Sequence, residues 1–162
     1  MGVNIRSLVA SDVPAIASLE TEAYEPSLHE SPEAFARLIE LFPAGALGAF
    51  DDGGLCGYAI GVPLRTGATL ELRQPLRAVP ADADAFYVHD VAVAARCRGR
   101  GVGRALAGQL IAVGVTRGFT RFELVSVQGS APFWARFGFV AVREFEYAPG
   151  AASVLMAMRT DR

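Results

Sequence analysis

The stretch Arg98-Gly99-Arg100-Gly101-Val102-Gly103 decides the reading of this chain because of what flanks it. Before it, Phe86-Tyr87-Val88-His89-Asp90-Val91-Ala92-Val93 is an aromatic and β-branched run with the character of a strand. After it, Val102, Leu106, Leu110 and Val113 recur at spacings of four, four and three, which is one face of a helix. A glycine-arginine loop therefore joins a strand to a helix N-terminus. The N–H groups of a helix's first turn lack internal partners, and the helix dipole is positive there. Glycines let the backbone close on a bulky anion, and arginines add charge and forked donors. The junction is a site for a phosphate-bearing ligand.

Three phosphate loops can be told apart at this point. A Walker loop needs Gly-x-x-x-x-Gly-Lys-Ser/Thr, and the chain contains no lysine. A dinucleotide fingerprint needs Gly-x-Gly-x-x-Gly with an acid roughly 20 residues on. Here Arg104 stands where the third glycine belongs. Arg98, Gly101 and Gly103 fit Arg/Gln-x-x-Gly-x-Gly/Ala instead, and this junction resembles that of the acyl-CoA N-acetyltransferases of the GNAT superfamily. A second block, Ala131-Pro132-Phe133-Trp134-Ala135-Arg136-Phe137-Gly138-Phe139-Val140, is similar to that family's aromatic-aromatic-x-x-x-Gly-Phe signature. It reads as a short helix, a glycine C-cap and a new strand. The resemblance runs from Val3-Asn4-Ile5-Arg6 to Val154-Leu155-Met156-Ala157-Met158. Within the superfamily, Tyr87 to Val93, Val125 to Phe139, and Leu47 to Gly53 before Gly57 to Gly61 look like the arylalkylamine (serotonin) N-acetyltransferase branch. That branch carries a histidine at the place of His89, another at the place of Tyr87, and a tyrosine at the place of Trp134. This chain keeps the first of the three.

The resemblance implies an α/β (α+β) GNAT fold: a central mixed, mostly antiparallel sheet flanked by helices, in one domain spanning 1–162. It also implies acetyl-CoA as co-substrate. Backbone amides of Arg98, Gly99, Arg100, Gly101, Val102, Gly103 and Arg104 would wrap the pyrophosphate. The backbone of Val91, Ala92 and Val93 would pair with the pantetheine like a further strand, with Phe133 and Arg136 on the same cofactor side. The valine side chains themselves read as core.

The local signals give the order βααβββαβαββ. Val3 to Leu8 reads as a strand, and Ser11-Asp12 as the cap of a helix reaching about Ala23. Ser31-Pro32-Glu33 opens a second helix that ends before Pro43. A hairpin turns at Asp51-Asp52-Gly53-Gly54. Residues 64–83 form a long irregular connection, with a strand expected at Thr69 to Leu72. Strand 85–93, helix 102–117, strand 121–127, helix 130–137 and strands 139–147 and 152–159 complete the chain.

Moving an acetyl group to an amine requires a proton acceptor, since an amine resembling lysine has a pKa near ~10. By period-two alternation Tyr87, His89, Val91 and Val93 share a face, unless a bulge intervenes, and Asp90 points the other way. An imidazole can accept a proton at neutral pH, so His89 is the expected base, with Tyr87 beside it; Glu123 is a weaker candidate. Trp134 offers an indole N–H that donates without acting as an acid, and it reads as core. Either the departing thiolate needs no acid, being a tolerable leaving group, or Ser126, Ser130, Tyr87 or water serves it. Cys97, near the helix N-terminus, lies on the anion loop rather than opposite an acyl carbon, so its reactivity reads as incidental.

Family architecture places the acceptor at Tyr24, Pro26, Leu28, His29 and Phe35, with Tyr87 and the 147–152 connection opposite. Aromatic content suits an arylalkylamine. The acids Glu20, Glu22, Glu25, Glu30 and Glu33 suit a polyamine. The expected activity is acetyl transfer to the primary amine of a small molecule. The alternatives are a peptide N-terminal or aminoglycoside acetyltransferase, and a non-catalytic CoA-binding sensor.

The 162 residues, 52% of them hydrophobic, suffice for one core. The net charge of −2 hides an asymmetry. Residues 1–52 carry nine acids and two arginines, and the remainder thirteen arginines and eight acids. The basic excess clusters at Arg96, Arg98, Arg100 and Arg104, which suits a polyanion such as CoA. One basic cluster in an otherwise acidic chain argues against a nucleic-acid partner. No apolar run approaches the ~20 residues of a membrane span, and the N-terminus lacks the pattern of a secretory signal. A cytoplasmic protein is expected, monomeric or homodimeric, with Cys56 and Cys97 as free thiols and no metal.

Overall fold

The computed structural model describes residues 2–161. The elements follow as β1 (Asn4–Ser7), α1 (Val13–Ala23), α2 (Pro32–Leu41), β2 (Ala46–Asp51), β3 (Gly54–Leu64), β4 (Ala85–Val93), α3 (Val102–Thr116), β5 (Arg121–Val127), α4 (Ala131–Ala135), β6 (Val140–Ala148) and β7 (Ala151–Arg159). The seven strands form one sheet in the order β1-β2-β3-β4-β5-β7-β6. Every neighbouring pair is antiparallel except β4 and β5. This is the expected mixed, mostly antiparallel sheet.

Alternation along β3 assigns the helices to faces. Tyr58 points to α2, where its ring meets Phe35 edge-on at 5.9 Å. Its neighbour Gly57 points to α3, and a Cβ there would lie 3.1 Å from Leu106 and 3.2 Å from Val102. The core centres on Phe86, whose ring packs against Phe42, Phe119 and Phe122 at 6.0, 6.0 and 5.7 Å. Burying rings of this size contributes roughly 1.5–3 kcal/mol each. Gly114 lets α3 approach this cluster, since a Cβ there would fall 2.5 Å from Phe122.

Two local expectations change. Ser31 caps α2 as expected, accepting from the Ala34 N–H at 3.2 Å. Asp12 stands at the N-cap position of α1 as expected, but its side chain makes no bond to the helix's amides. It ends a 3-10 turn at Ala10–Asp12, and its carboxylate is held in a fork by Arg6 at 2.9 and 3.0 Å while it accepts the Val9 N–H at 2.8 Å. The charged partner on β1 outcompetes the helix's own amides. The strand expected at Thr69 to Leu72 is absent from the irregular 65–84 connection. β3 already pairs with both β2 and β4, and the connection's backbone bonds to side chains instead. Gly67 N–H donates to Glu123 at 2.7 Å, Arg73 N–H donates to Glu30, and Leu70 C=O accepts the Tyr147 hydroxyl.

The parallel seam between β4 and β5 is short. It joins Phe86, Tyr87 and Val88 to Phe122, Glu123 and Leu124, and there it stops. β4 continues along β3 to Val93, and β5 continues along β7 to Val127. The two strands therefore part in the middle of the sheet. At the same height β4 has a bulge. Ile60 faces Asp90 and Gly61 faces Val88, so His89 is the extra residue. Among the described residues no helix is long and apolar enough to cross a membrane.

Candidate functional site

The parting of β4 and β5 opens a cavity of about 280 Å³. Tyr24 and Leu28 line it from the α1–α2 side, Gly103, Phe133 and Trp134 from the α3–α4 side, and β4 and β5 from between. It thus passes through the sheet. Arg98 stands at the α3 side, and His89 and Asp90 line the same cavity.

The loop at the α3 side has the conformation its glycines allow. Gly99 and Gly101 are left-handed, with φ of +79° and +77°, and Gly101 is the N-cap of α3. L-residues with a Cβ resist that region. Gly103 lies against β4, where a Cβ would approach Val93 at 3.2 Å. The basic cluster divides. Arg96 and Arg100 both pair with Asp51 at 3.0 Å, and they hold its carboxyl well below the usual range. Arg98 and Arg104 are exposed. Of the twelve residues expected to bind the cofactor, Val91, Ala92, Val93, Arg98, Gly103 and Phe133 line the cavity. Gly99, Arg100, Gly101, Val102 and Arg104 form the loop and first turn beside it, and Arg136 is exposed outside it.

The bulge corrects the expected faces of β4. Tyr87 and His89 do share a side, with rings 5.9 Å apart. Asp90 joins them, because its Oδ2 accepts the Tyr58 hydroxyl at 2.9 Å and Tyr58 points to α2. Val91 and Val93 face α3, opposite Ala59 and Gly57. One extra residue has turned two adjacent polar side chains to one face.

His89 is held by a carboxylate from a distant element. Its Nε2 lies 3.0 Å from Glu30 Oε2, with both side chains 2% exposed. Glu30 also accepts N–H bonds from Arg73 and Ser31. Arg73 supplies its amide from a left-handed conformation with φ +63°, a strained state for arginine. A carboxylate in that role accepts, so Nε2 carries the hydrogen and Nδ1 keeps its lone pair. Nδ1 is buried and has no partner among the described residues. Glu20, 3% exposed, accepts the Glu30 N–H at 2.7 Å. Burial pushes its carboxyl up to about 8.

Glu20 and Glu30 are therefore part of the interior and not of the cation-attracting surface expected for the acidic segment. Of the expected acceptor residues, Tyr24 and Leu28 line the cavity, whereas Pro26, His29 and Phe35 do not. Phe35 is core, and the His29 ring bonds to the Tyr24 carbonyl at 2.7 Å. Tyr87 is 1% exposed and absent from the lining; Tyr147 and Leu72 line that wall. Glu123 is tied to Gly67 and Arg121, both at 2.7 Å, away from the cavity. Ser130 lines the cavity, with its Oγ 2.9 Å from Ser126 Oγ. Trp134 lines it too while packing on Phe133, Phe137 and Phe139.

Asp51, Cys56 and Cys97 form a cluster of potential metal ligands outside the cavity. Asp51 already carries two guanidinium partners, and burial pushes the Cys56 thiol up to about 12. Both conditions oppose a bound cation. Cys97 Sγ lies 2.7 Å from Cys56 Sγ and does not line the cavity.

The fold is shared by proteins of known structure. Ard1 from Thermoplasma volcanium superposes with a TM-score of 0.78 at 16% identity, over 100% of both chains. The loading GNATL domain of CurA from Lyngbya majuscula gives 0.81 at 14% identity, over 98% of both. Arabidopsis thaliana Naa50, in complex with the bisubstrate analogue CoA-Ac-MVNAL, gives 0.75 at 12% identity, over 99% of this chain and 100% of that one. No curated protein matches the chain in sequence. The match to a family model is direct: residues 13–139 fit the acetyltransferase (GNAT) family, from the first turn of α1 through the glycine-rich loop to Phe139. The chain belongs to that family.

Proposed function

We propose that this protein is an acetyl-CoA-dependent N-acetyltransferase that acetylates the primary amine of a small molecule, of the arylalkylamine type, in the cytoplasm. The observation that carries the reading is the through-sheet cavity, with the α3 loop and Arg98 at one side and the Glu30-held His89 lining the other. Phosphates suit the first side, because unpaired amides, the helix dipole and arginine act there together. The edge of β4 beyond Val88, which β5 leaves without a strand partner, supplies main-chain groups for the amides of a pantetheine arm, the Val91 carbonyl being shared with the Tyr24 hydroxyl. The second side suits amine chemistry. His89 Nδ1 takes a proton from the ammonium, and the N–H electron pair stays on nitrogen. That lone pair attacks the thioester carbonyl carbon, a C–N bond forms, the C–S bond breaks with its electrons leaving on sulfur, and the second proton of the attacking nitrogen passes to the thiolate, so that the products are a neutral amide and the CoA thiol. Ser130, which lines the cavity, supplies a hydroxyl hydrogen bond to the thiolate, and the Trp134 indole can supply only an N–H. The volume lies near the lower end of small-molecule sites, about 300 Å³, which favours a compact acceptor over a peptide.

The test is a screen of arylalkylamines, polyamines, aminoglycosides and short peptides with acetyl-CoA, reading released thiol. Turnover is expected with the first class. Turnover confined to peptides would replace the small-molecule reading. Stabilisation by acetyl-CoA without turnover on any amine would make the protein a sensor.

A further inference from the structure

Two adjacent residues of the cavity lining each carry a buried polar atom with no partner among the described residues. One is His89 Nδ1, which the proposed reaction uses. The other is Asp90 Oδ1. A buried acceptor left unpaired costs on the order of 1–3 kcal/mol, so Asp90 needs a reason to be where it is.

Its surroundings define what would satisfy it. From β3, Tyr58 donates to Oδ2 at 2.9 Å, leaving Oδ1 open. From the end of α1, Tyr24 lines the same cavity, but its hydroxyl hydrogen goes to the Val91 carbonyl at 2.8 Å. Glu20 on α1 and Glu30 before α2 take up backbone N–H groups, of Glu30 and of Ser31 and Arg73 respectively, and neither is bonded to Oδ1. On β4 itself His89 commits Nε2 to Glu30. Arg73 of the connection spends a guanidinium nitrogen on the His29 carbonyl at 2.7 Å. Tyr147 of β6 donates to Leu70. None of these groups reaches Oδ1, Asp90 is the one acid in the cavity lining among the described residues, and a ligand that brings positively charged N–H groups would complete it.

We propose that Asp90 is a specificity-determining residue that receives the ammonium form of the acceptor through Oδ1, beside the imidazole that then deprotonates it. This rests on the acetyltransferase reading above. The bulge makes the arrangement possible, since without it Asp90 would face α3. Oδ1 binds the cation, and Nδ1 of the adjacent residue removes its proton. A cationic primary amine is therefore favoured over a neutral nitrogen nucleophile of the same shape. Burial raises the Asp90 carboxyl above its ordinary range, while the neighbouring His89 ring and the Tyr58 and Tyr24 hydroxyls oppose the rise. An arriving ammonium would restore the carboxylate.

The experiment compares 2-phenylethylamine with 2,2-difluoro-2-phenylethylamine, whose electron-poor nitrogen is uncharged at pH 8. Asp90→Asn keeps the size and the Tyr58 hydrogen bond. In Asp90→Asn, KM for 2-phenylethylamine should rise at least ~10-fold with kcat little changed, KM for the difluoro amine should hold, and acetyl-CoA affinity should be unaltered. Equal losses with both amines, or no loss with either, overturn the proposal and leave the acetyltransferase reading intact. Binding without turnover separates the two further. Calorimetry on His89→Gln should show 2-phenylethylammonium binding that is weakened when Asp90→Asn is added. That result supports the cation site even if no amine is acetylated. Binding indifferent to Asp90 overturns it.

Discussion

On the α3 side of the cavity, beside the rings of Phe133 and Trp134, the groups that suit a cofactor are main chain: the amides of the glycine loop and of the first turn of α3, and the edge of β4 that β5 leaves without a strand partner. On the α1–α2 side it is bounded by side chains gathered from far apart. Glu30 and His89 are 59 residues apart in sequence, and Tyr58 and Asp90 are 32 apart. A main-chain site is made by local conformation and tolerates many side chains. A side-chain site depends on each distant element arriving in register. The first announces itself as a motif, and the second exists only once the sheet has formed.

The sharpest way to break this contrast is to remove the base. His89→Gln keeps size and hydrogen bonding, and kcat/KM at pH 7 should fall by ~10²–10⁴-fold while acetyl-CoA affinity holds. The defect should shrink as pH rises, because more of the amine is already neutral. Glu30→Gln should cost roughly tenfold alone, and little more in the His89→Gln background, since the two act as one unit. Wild-type kcat/KM in His89→Gln across the pH range, measured by thiol release, would move the base elsewhere.

The opposite side should respond to backbone geometry. Gly101→Val places a branched Cβ at φ +77° in the turn we propose for the phosphates. CoA affinity should fall at least ~10-fold, or ~1.4 kcal/mol, with calorimetry run on protein shown to be folded by circular dichroism. Arg100 is paired with Asp51, so Arg98→Ala should weaken CoA more than Arg100→Ala does. Unchanged affinity in Gly101→Val would show that the two sides do not differ as described.

The smallest effect concerns the interior acid behind the acceptor side. The native carboxyl of Glu20 sits near 8, above its ordinary value of 4.5. The folded state therefore keeps a proton that the unfolded state has lost, and wild-type stability declines as pH climbs from about 4.5 to about 8, then levels. Glu20→Gln keeps the acceptor for the Glu30 N–H and lacks this slope. Its Tm should match wild type near pH 4 and exceed it by a few degrees above pH 8, at about 2–4 °C per kcal/mol. Parallel Tm curves for the two proteins would remove the buried proton from the account.

How much was legible follows from the same contrast. The order of strands and helices could be read because alternation, capping and turn residues act within a few positions, as at Ser31-Pro32 and Asp52-Gly53. The loop at Arg98 to Gly103 was legible for that reason too. Asp90 was assigned to the wrong face because one unpaired residue at His89 reverses the alternation beyond it, and nothing in Val88-His89-Asp90 marks a bulge. A signal did exist across the sheet. Gly61 is needed where its Cβ would meet Phe86 at 2.6 Å, but that requires knowing the partner strand. Glu30 was read as a surface charge because it stands in the acid-rich segment with Glu25 and Glu33; those two are exposed and Glu30 is buried. Its partner became visible only when the 65–84 connection brought the Arg73 amide to it.

The edge of β4 that β5 leaves bare carries a consequence for descent. Its donors and acceptors belong to the polypeptide itself, so they survive almost any exchange of Val91, Ala92 or Val93 for another residue that fits the sheet. A recognition surface of this kind places little selective pressure on sequence. Chains that share the fold can therefore differ widely: this protein and the three neighbours compared above agree at only 12–16% of positions while the fold keeps its shape. The record of what each descendant acts upon is then kept on the other face, in the few side chains that cannot drift without changing the molecule they admit.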